Sequence, residues 1–310
     1  MGSFNKFNRR KKLIKFKRVL LLIFFSSIGL AGLAIIYLYF YTLSFNNFNN
    51  NIIKKKSDYN PIFNTLILGL DTLATKYNGR SDSIIIISTN IDKKTIKIIS
   101  LMRDIWVNIP KYGYDRLNSS YAYGGASLAA STIEQNFGIN IDKYVSIDFL
   151  GFEKIINDLG GINMFLLSEE AIFINNHSKS SKKVSVGENT LDGDQTLQYA
   201  RDRDSQGSDY DRTNRQRKVI KILIQKIKKN SIKNNSSLFI NLLKYVRSDY
   251  KINEILNLLK ALSTSSDYEI SDFRLPTNDN VKNSVIDFKM VLEIPNLQKA
   301  RKDIVEFILK

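Results

Sequence analysis

Between Phe63 and Asp104 the apolar positions fall into three runs of strand length, Phe63–Leu70, Ser83–Thr89 and Thr95–Leu101. The segment Asn90–Lys94 has turn chemistry of hairpin length, which predicts that the second and third runs are antiparallel neighbours. Ala126–Phe137 then has helical spacing and stops at Gly138. Lys143–Asp148 reads as a strand, Phe149–Leu159 as a helix halted by Gly160 and Gly161, and Ile162–Leu167 as a strand. Strands and helices alternate, so the predicted class is α/β. Residues 175–189 are polar and read as a loop, with His177 as solvated surface. Asp192 is the expected cap of a helix continuing through Ala200. A turn at 205–208 leads to a helix from Asp209 to about Lys228, with Val219, Ile220, Leu223 and Ile224 as its buried stripe. Leu238–Val246 and Ile252–Leu262 read as amphipathic helices, Glu269–Leu275 as a strand and Leu297–Leu309 as a final helix. Ile84, Ile86 and Phe149 read either as the lining of an apolar space or as plain core, with core the preferred reading.

The N-terminus has a different pattern. Val19–Leu43 contains no charge, and at about 1.5 Å per residue it exceeds the roughly 30 Å hydrocarbon core of a bilayer. The formal net charge is +16, and half of that excess lies in residues 1–18, which carry no acid. By the positive-inside rule this predicts a cytoplasmic tail over 1–18, a single-span signal-anchor over 19–43 and an extracellular remainder. Residues 44–60 read as a stalk and 61–310 as one extracellular domain, which places the protein in the cell membrane. A cleaved signal peptide would need a shorter apolar region and a small-residue cleavage site, and neither is present.

There is no cysteine, which excludes disulfides and thiolate metal sites, and His177 is the only histidine. The candidate chemistry sits at strand ends. Asp71 closes the first strand, Arg80 and Asp82 open the second, and Arg103 with Asp104 closes the third. If the first strand is also antiparallel to the second, these side chains collect along one sheet edge, where acids and arginines suit a metal ion and a phosphorylated ligand. A second group follows: Arg201 and Arg203, which point the same way if the chain is extended there, and Arg212 and Gln216 on one face of a helix, with Arg215 beside them. Basic side chains around a helix N-terminus suit a diphosphate. The competing reading is a solvated charge run paired with Asp202, Asp204, Asp209 and Asp211.

Six short motifs occur in order behind the apolar span. They are Leu68-Gly69-Leu70-Asp71, Gly79-Arg80-Ser81-Asp82, Met102-Arg103-Asp104 with Tyr112-Gly113-Tyr114-Asp115, Asn118 through Gly125, Tyr199 through Arg203, and Asp211 through Arg217. On these the chain resembles the LytR-CpsA-Psr family of membrane-anchored cell-wall proteins over essentially all of residues 60–310. Leu70 and Met102 stand where that family often has Ser and Pro, leaving the neighbouring functional positions intact. The resemblance implies a central mixed β-sheet flanked by helices. It also implies a phosphotransferase that moves a glycopolymer, such as teichoic acid or capsule, from a polyprenyl-pyrophosphate carrier onto peptidoglycan. By motif, Asp71 and Asp82 would hold Mg²⁺ (or Mn²⁺), and Arg80, Arg201, Arg203, Arg212 and Gln216 would grip the pyrophosphate. Arg103 would lie nearest the transferring phosphorus, and Asp104 would orient it or assist the acceptor hydroxyl.

Two other functions compete. A hydrolase would use the same site with water as nucleophile, and a non-catalytic regulator would bind wall polymer through its basic surface. Nucleic acid is not an expected partner: no helix-turn-helix pattern appears and the cytoplasmic tail is short. Removing residues 1–43 is expected to yield a folded protein that stays soluble without detergent in sedimentation and circular dichroism measurements. Aggregation under those conditions would count against a single span.

Overall fold

The computed structural model describes residues 61–71, 79–203, 209–229, 241–255 and 268–310. The expected tail, span and stalk, the turn at 205–208, and residues 238–240 and 256–262 of two expected helices lie outside the described residues. In chain order the elements are β1 (Ile62–Leu70), β2 (Ser81–Asn90), β3 (Thr95–Leu101), β4 (Trp106–Ile109), β5 (Gly113–Arg116), α1 (Ser119–Phe137), β6 (Lys143–Asp148), α2 (Phe149–Asp158), β7 (Ile162–Leu166), α3 (Ser168–His177) and β8 (Gly187–Leu191). They continue with α4 (Gly193–Arg201), α5 (Asp209–Lys229), β9 (Val246–Ser248), β10 (Glu269–Leu275), β11 (Lys282–Ile286), β12 (Lys289–Glu293) and α6 (Leu297–Leu309).

Six strands form one sheet in the order β10-β3-β2-β1-β6-β9. β2 is antiparallel to β3, as the hairpin spacing predicts, and antiparallel to β1 on its other side, while β10 joins β3 and β6 joins β1 in parallel. The sheet is therefore mixed. Alternation along its central strands sends side chains into two different layers. Leu66, Leu68 and Leu70 of β1 point with Ile84 and Ile86 of β2 into a core closed by Ile133 and Phe137 of α1 and Ile304 of α6. Each such fully buried side chain contributes about 1.5–3 kcal/mol. The intervening residues Ile67, Gly69, Ser83 and Ile85 face the other way, toward a cavity under α2, α4 and α5. That second layer has its own apolar cluster, which includes Ile156, Ile162, Leu166, Ile174, Leu191 and Tyr199.

The caps follow the sequence. Gly138 ends α1 in the left-handed region (φ 71), and Asp192 Oδ1 accepts from the Gln195 N–H at 2.9 Å to start α4. α1 is interrupted at Gly125, whose φ of 67 and ψ of −161 place it where a side chain is strained, so the regular helix begins at Ala126 as its spacing predicts.

Three expectations need correction. Residues 175–189, expected as a loop, contain the end of α3 and the start of β8. The helix is short and mostly polar, buries Ala171 and Ile174, and is closed at its start by Glu170, which accepts from the Leu167 N–H at 2.9 Å. β8 forms because β7 supplies an antiparallel partner and Leu191 a buried anchor. His177 is exposed, as expected, with its ring stacked on Phe173. Arg201 is the last residue of α4 and is not extended. The described end of the expected 238–246 helix is a 3-10 turn, Leu243–Tyr245, after which Val246 opens the edge strand β9.

One buried carboxylate fastens three pieces of the domain. Asp115 in β5 accepts from the Tyr123 hydroxyl at 2.6 Å, from Lys289 Nζ of β12 at 2.8 Å and from the Arg116 N–H at 2.8 Å. Burial opposes its charge, but these donors outweigh that cost and hold the carboxyl down at about 2, against its usual 3.8. A carboxyl depressed by folding stabilises the native state above its unfolded pKa, and that stability is lost as pH falls through the folded value. Wild-type protein is therefore expected to lose more stability between about pH 4 and pH 2 than Asp115→Asn does. Urea midpoints measured across that range would check this, and parallel curves would refute the fastening role.

Candidate active site

The cavity between the sheet and the second layer has a volume of about 430 Å³. Ile67, Ile85, Ile147, Phe152, Phe173 and Val219 give it apolar walls, while Asp82, Asp148, Arg201, Arg203, Arg212 and Gln216 supply the polar part. Asp82 and Asp148 come from one edge of the sheet, Arg201 from the end of α4, Arg203 from the segment after it, and Arg212 and Gln216 from α5. Leu70, at the end of β1, pairs with Ser81 at the start of β2 and with Asp148 at the end of β6. Ile84 pairs with Leu101, just before Arg103 and Asp104. Of the predicted group, Asp82, Arg103 and Asp104 are brought together at that edge.

A bulge aims Asp82. Gly69 pairs with Ser83 and Leu70 with Ser81, so Asp82 is the extra residue. Neighbours on a strand ordinarily face opposite ways, yet here Asp82 and Ser83 both line the cavity. A Cβ at Gly69 would lie 3.0 Å from Ser83 Cβ, so the tight approach of the two strands at this point needs glycine.

Around Asp82 the charges interlock. Arg103 Nη1 donates to Asp82 Oδ1 at 2.5 Å and Nε to Asp104 Oδ2 at 3.2 Å, with Asp209 Oδ2 at 4.0 Å. Burial works against the charge of Arg103, but Asp104, Asp82 and Asp209 outweigh it and raise the pKa above the usual value. Asp104 is held on its other oxygen by Arg116 Nη1 at 3.5 Å. Arg212 donates to Asp209 Oδ2 at 2.9 Å, and Arg203 Nε lies 3.7 Å from Asp209 Oδ1. Arg212 is buried, and burial together with the charges of Arg103 and Arg203 pushes its pKa down to about 10, against the pull of Asp209 and Asp82. Its Nε is buried with no hydrogen-bond partner among the described residues. Gln216 accepts from Ser83 Oγ at 3.1 Å, which ties α5 to β2. The Arg201 guanidinium lies 4.6 Å from the Phe149 ring centre, so Phe149 is cavity wall and not the plain core expected for it, whereas Ile84 and Ile86 are core.

The remaining candidates lie apart. Asp71 is exposed on a second, adjoining cavity of about 330 Å³ that shares Asp148, Phe149, Leu197 and Arg201 with the first. Arg80 is exposed outside both walls, near enough to Tyr123 to act on its phenol. Arg215 is structural: it turns away and donates to the Asp202 carbonyl at 2.6 Å. Both arginines are buried, so neither belongs to a solvated charge run: Arg215 pairs with Asp202 inside the domain, and Arg212 pairs with Asp209 from the cavity wall. Sequence reasoning gave no site role to Asp209 or Arg116. The i,i+3 spacing of Asp209 and Arg212 was the available signal for the first. Arg116 reaches Asp104 only through tertiary packing.

The chain matches the LytR_cpsA_psr family model over residues 35–303. The polyisoprenyl-teichoic acid–peptidoglycan teichoic acid transferase TagU of Enterococcus faecalis is 40% identical over 172 residues, covering 53% of this chain and 54% of that protein. The Bacillus subtilis protein of the same description, TagT, is 35% identical over 186 residues, 57% of each. The matched region spans little more than half the length of these curated relatives. A solved structure of TagT bound to LIIa-WTA superposes with a TM-score of 0.68 at 26% identity, covering 83% of this chain and 96% of that one. With the family model spanning most of the sequence and the fold shared over most of its length, the chain belongs to the LytR-CpsA-Psr family.

Proposed function

We propose that this protein transfers a glycopolymer from a polyprenyl-pyrophosphate carrier to peptidoglycan, acting at the outer face of the membrane from a single N-terminal span. The observation that carries the reading is the mixed character of one cavity, apolar along its walls and lined at the sheet edge by Arg201, Arg203 and Arg212. A polyprenyl pyrophosphate has that same division between an apolar tail and an anionic head. The names of TagU and TagT, which specify polyisoprenyl-teichoic acid and peptidoglycan, support the same chemistry.

In this reading Arg201, Arg203 and Arg212 grip the pyrophosphate, with Gln216 bonded to Ser83 beside them. The unpartnered Nε of Arg212 is a donor suited to a phosphate oxygen. Arg80, exposed outside the walls, would meet only a part of the head that emerges from the cavity. An acceptor sugar hydroxyl attacks the phosphorus that bears the glycan. An oxygen–phosphorus bond forms, the bond to the bridging oxygen breaks, and its electron pair leaves with polyprenyl phosphate while the hydroxyl proton passes to water. In the same reading Arg103, bonded to the cavity residue Asp82, stabilises charge on that phosphorus, and Asp104, engaged on both oxygens by Arg103 and Arg116, orients it.

Asp71 and Asp82 fit a hard cation in chemistry. They are carboxylates at the ends of neighbouring strands, and Arg103 occupies only Oδ1 of Asp82. No group of three or more metal-ligating side chains exists among the described residues, so phosphate oxygens of the ligand would complete the shell. Mg²⁺ or Mn²⁺ bound there would neutralise charge on the pyrophosphate.

Full-length protein in detergent, a synthetic polyprenyl-pyrophosphate glycan and uncrosslinked peptidoglycan provide the test, with mass spectrometry seeking glycan joined through a phosphodiester. Joined product is expected, and free glycan phosphate would favour hydrolysis. Arg103→Ala is expected to lower transfer by about 10²–10³-fold while lipid binding persists; equal loss of both would remove Arg103 from the transition state. In Asp82→Ala the response to added Mg²⁺ should disappear, and an unchanged metal titration would refute the metal site.

A further inference from the structure

We infer that the outer face of the β4–β5 hairpin seats the acceptor glycan strand, an inference that rests on the transferase reading above. Val107, Ile109 and Asp115 are buried beneath the hairpin. Alternation therefore places Trp106, Asn108, Tyr114 and Arg116 together on its other face, where Trp106 pairs with Arg116 and Asn108 with Tyr114. On that face the rings of Trp106 and Tyr114 stack with centres 6.5 Å apart and planes 22° apart. Tyr114 is 66% exposed. In the adjoining turn Tyr112, 56% exposed, stacks on Tyr123 at 4.8 Å and 14°.

Apolar residues scattered singly on a surface need no explanation, but four rings already stacked in pairs do. The Tyr112–Tyr123 pair at the turn is held from the buried side, Tyr123 through its bond to Asp115 and Tyr112 through a 3.3 Å bond from its hydroxyl to the Tyr123 carbonyl. Rigid rings with polar tips bind at little entropic cost. A pyranose offers the matching surface, a C–H face to lie on a ring and hydroxyls for the phenols. The far end of the face gives the direction. Arg116 donates to Asp104, which is bonded to Arg103, so the strip runs from the rings to the guanidinium assigned to the reacting phosphorus. None of the four rings lines the donor cavity. A strand lying on Trp106 and Tyr114 would bring a hydroxyl past Arg116 to Arg103 without displacing the carrier lipid.

Trp106 is the only tryptophan in the chain, so its emission reports on this face directly. Full-length protein in detergent would be titrated with soluble, uncrosslinked glycan-strand fragments of peptidoglycan. A saturable change in emission is expected, weakened about tenfold by Tyr114→Ala and restored to within about twofold by Tyr114→Phe. The synthetic polyprenyl-pyrophosphate glycan should bind Tyr114→Ala as tightly as wild type. In turnover, KM for the acceptor should rise in Tyr114→Ala with kcat little changed. Fragments that leave the emission unaltered, wild-type affinity in Tyr114→Ala, or equal loss of donor binding would each overturn the inference. Saturable fragment binding without any transfer would defeat the transferase reading and leave the glycan seat standing. Transfer with unchanged acceptor KM in Tyr114→Ala would do the reverse.

Discussion

Three guanidinium groups, those of Arg103, Arg203 and Arg212, approach a single carboxylate, Asp209. Bringing like charges together under a protein surface is costly, and more so for the buried Arg212 than for the partly buried Arg103 or the exposed Arg203. Asp209 offsets that cost from the first turn of α5, where the helix dipole also favours a negative charge. The helix end is thus occupied by an internal anion that holds the cations in place. A phosphate entering here meets donors already oriented, and it shares them with Asp209. Asp82 and Asp104 hold Arg103 in the same manner from the sheet side, so both halves of the site are held by carboxylates.

The sheet that carries these groups does two jobs because its strands have two faces. One face is filled by leucine and isoleucine against α1 and α6. The other is left with space above Ile67, Gly69, Ser83 and Ile85. The first face sets the strand positions, and the bulge at Asp82 transmits that rigidity to a charged side chain. Core packing and cavity lining therefore draw on alternate residues of the same two strands, and a change of one position in register would exchange them.

Much of this was legible in the sequence, for identifiable reasons. β3, β6, β10 and α6 form where their spacing predicts, because each has a strong period closed by Gly, Pro or turn residues. Asp82, Arg212 and Gln216, singled out by their places at strand and helix ends, line the cavity, and Arg103 bonds to Asp82 beside it. α3 and β8 were missed because their segments are polar and depend on partners, Glu170 at one helix end and β7 along one strand edge. Phe149 looked like core because its sequence cannot tell a filled space from an empty one. Arg215 and Arg212 are equally polar in sequence, and only the direction of the helix face separates the structural one from the one on the cavity wall.

The partition between the two cavities has a thermodynamic consequence. Phe149 and Arg201 form a wall common to both, held as a ring under a guanidinium. A molecule that shifts this pair from one side changes the room and the charge available on the other. Such linkage is reciprocal by necessity: whatever free energy an occupant of the first cavity adds to binding in the second, the second returns to the first. Two spaces that share a wall can thus influence one another without any contact between their occupants.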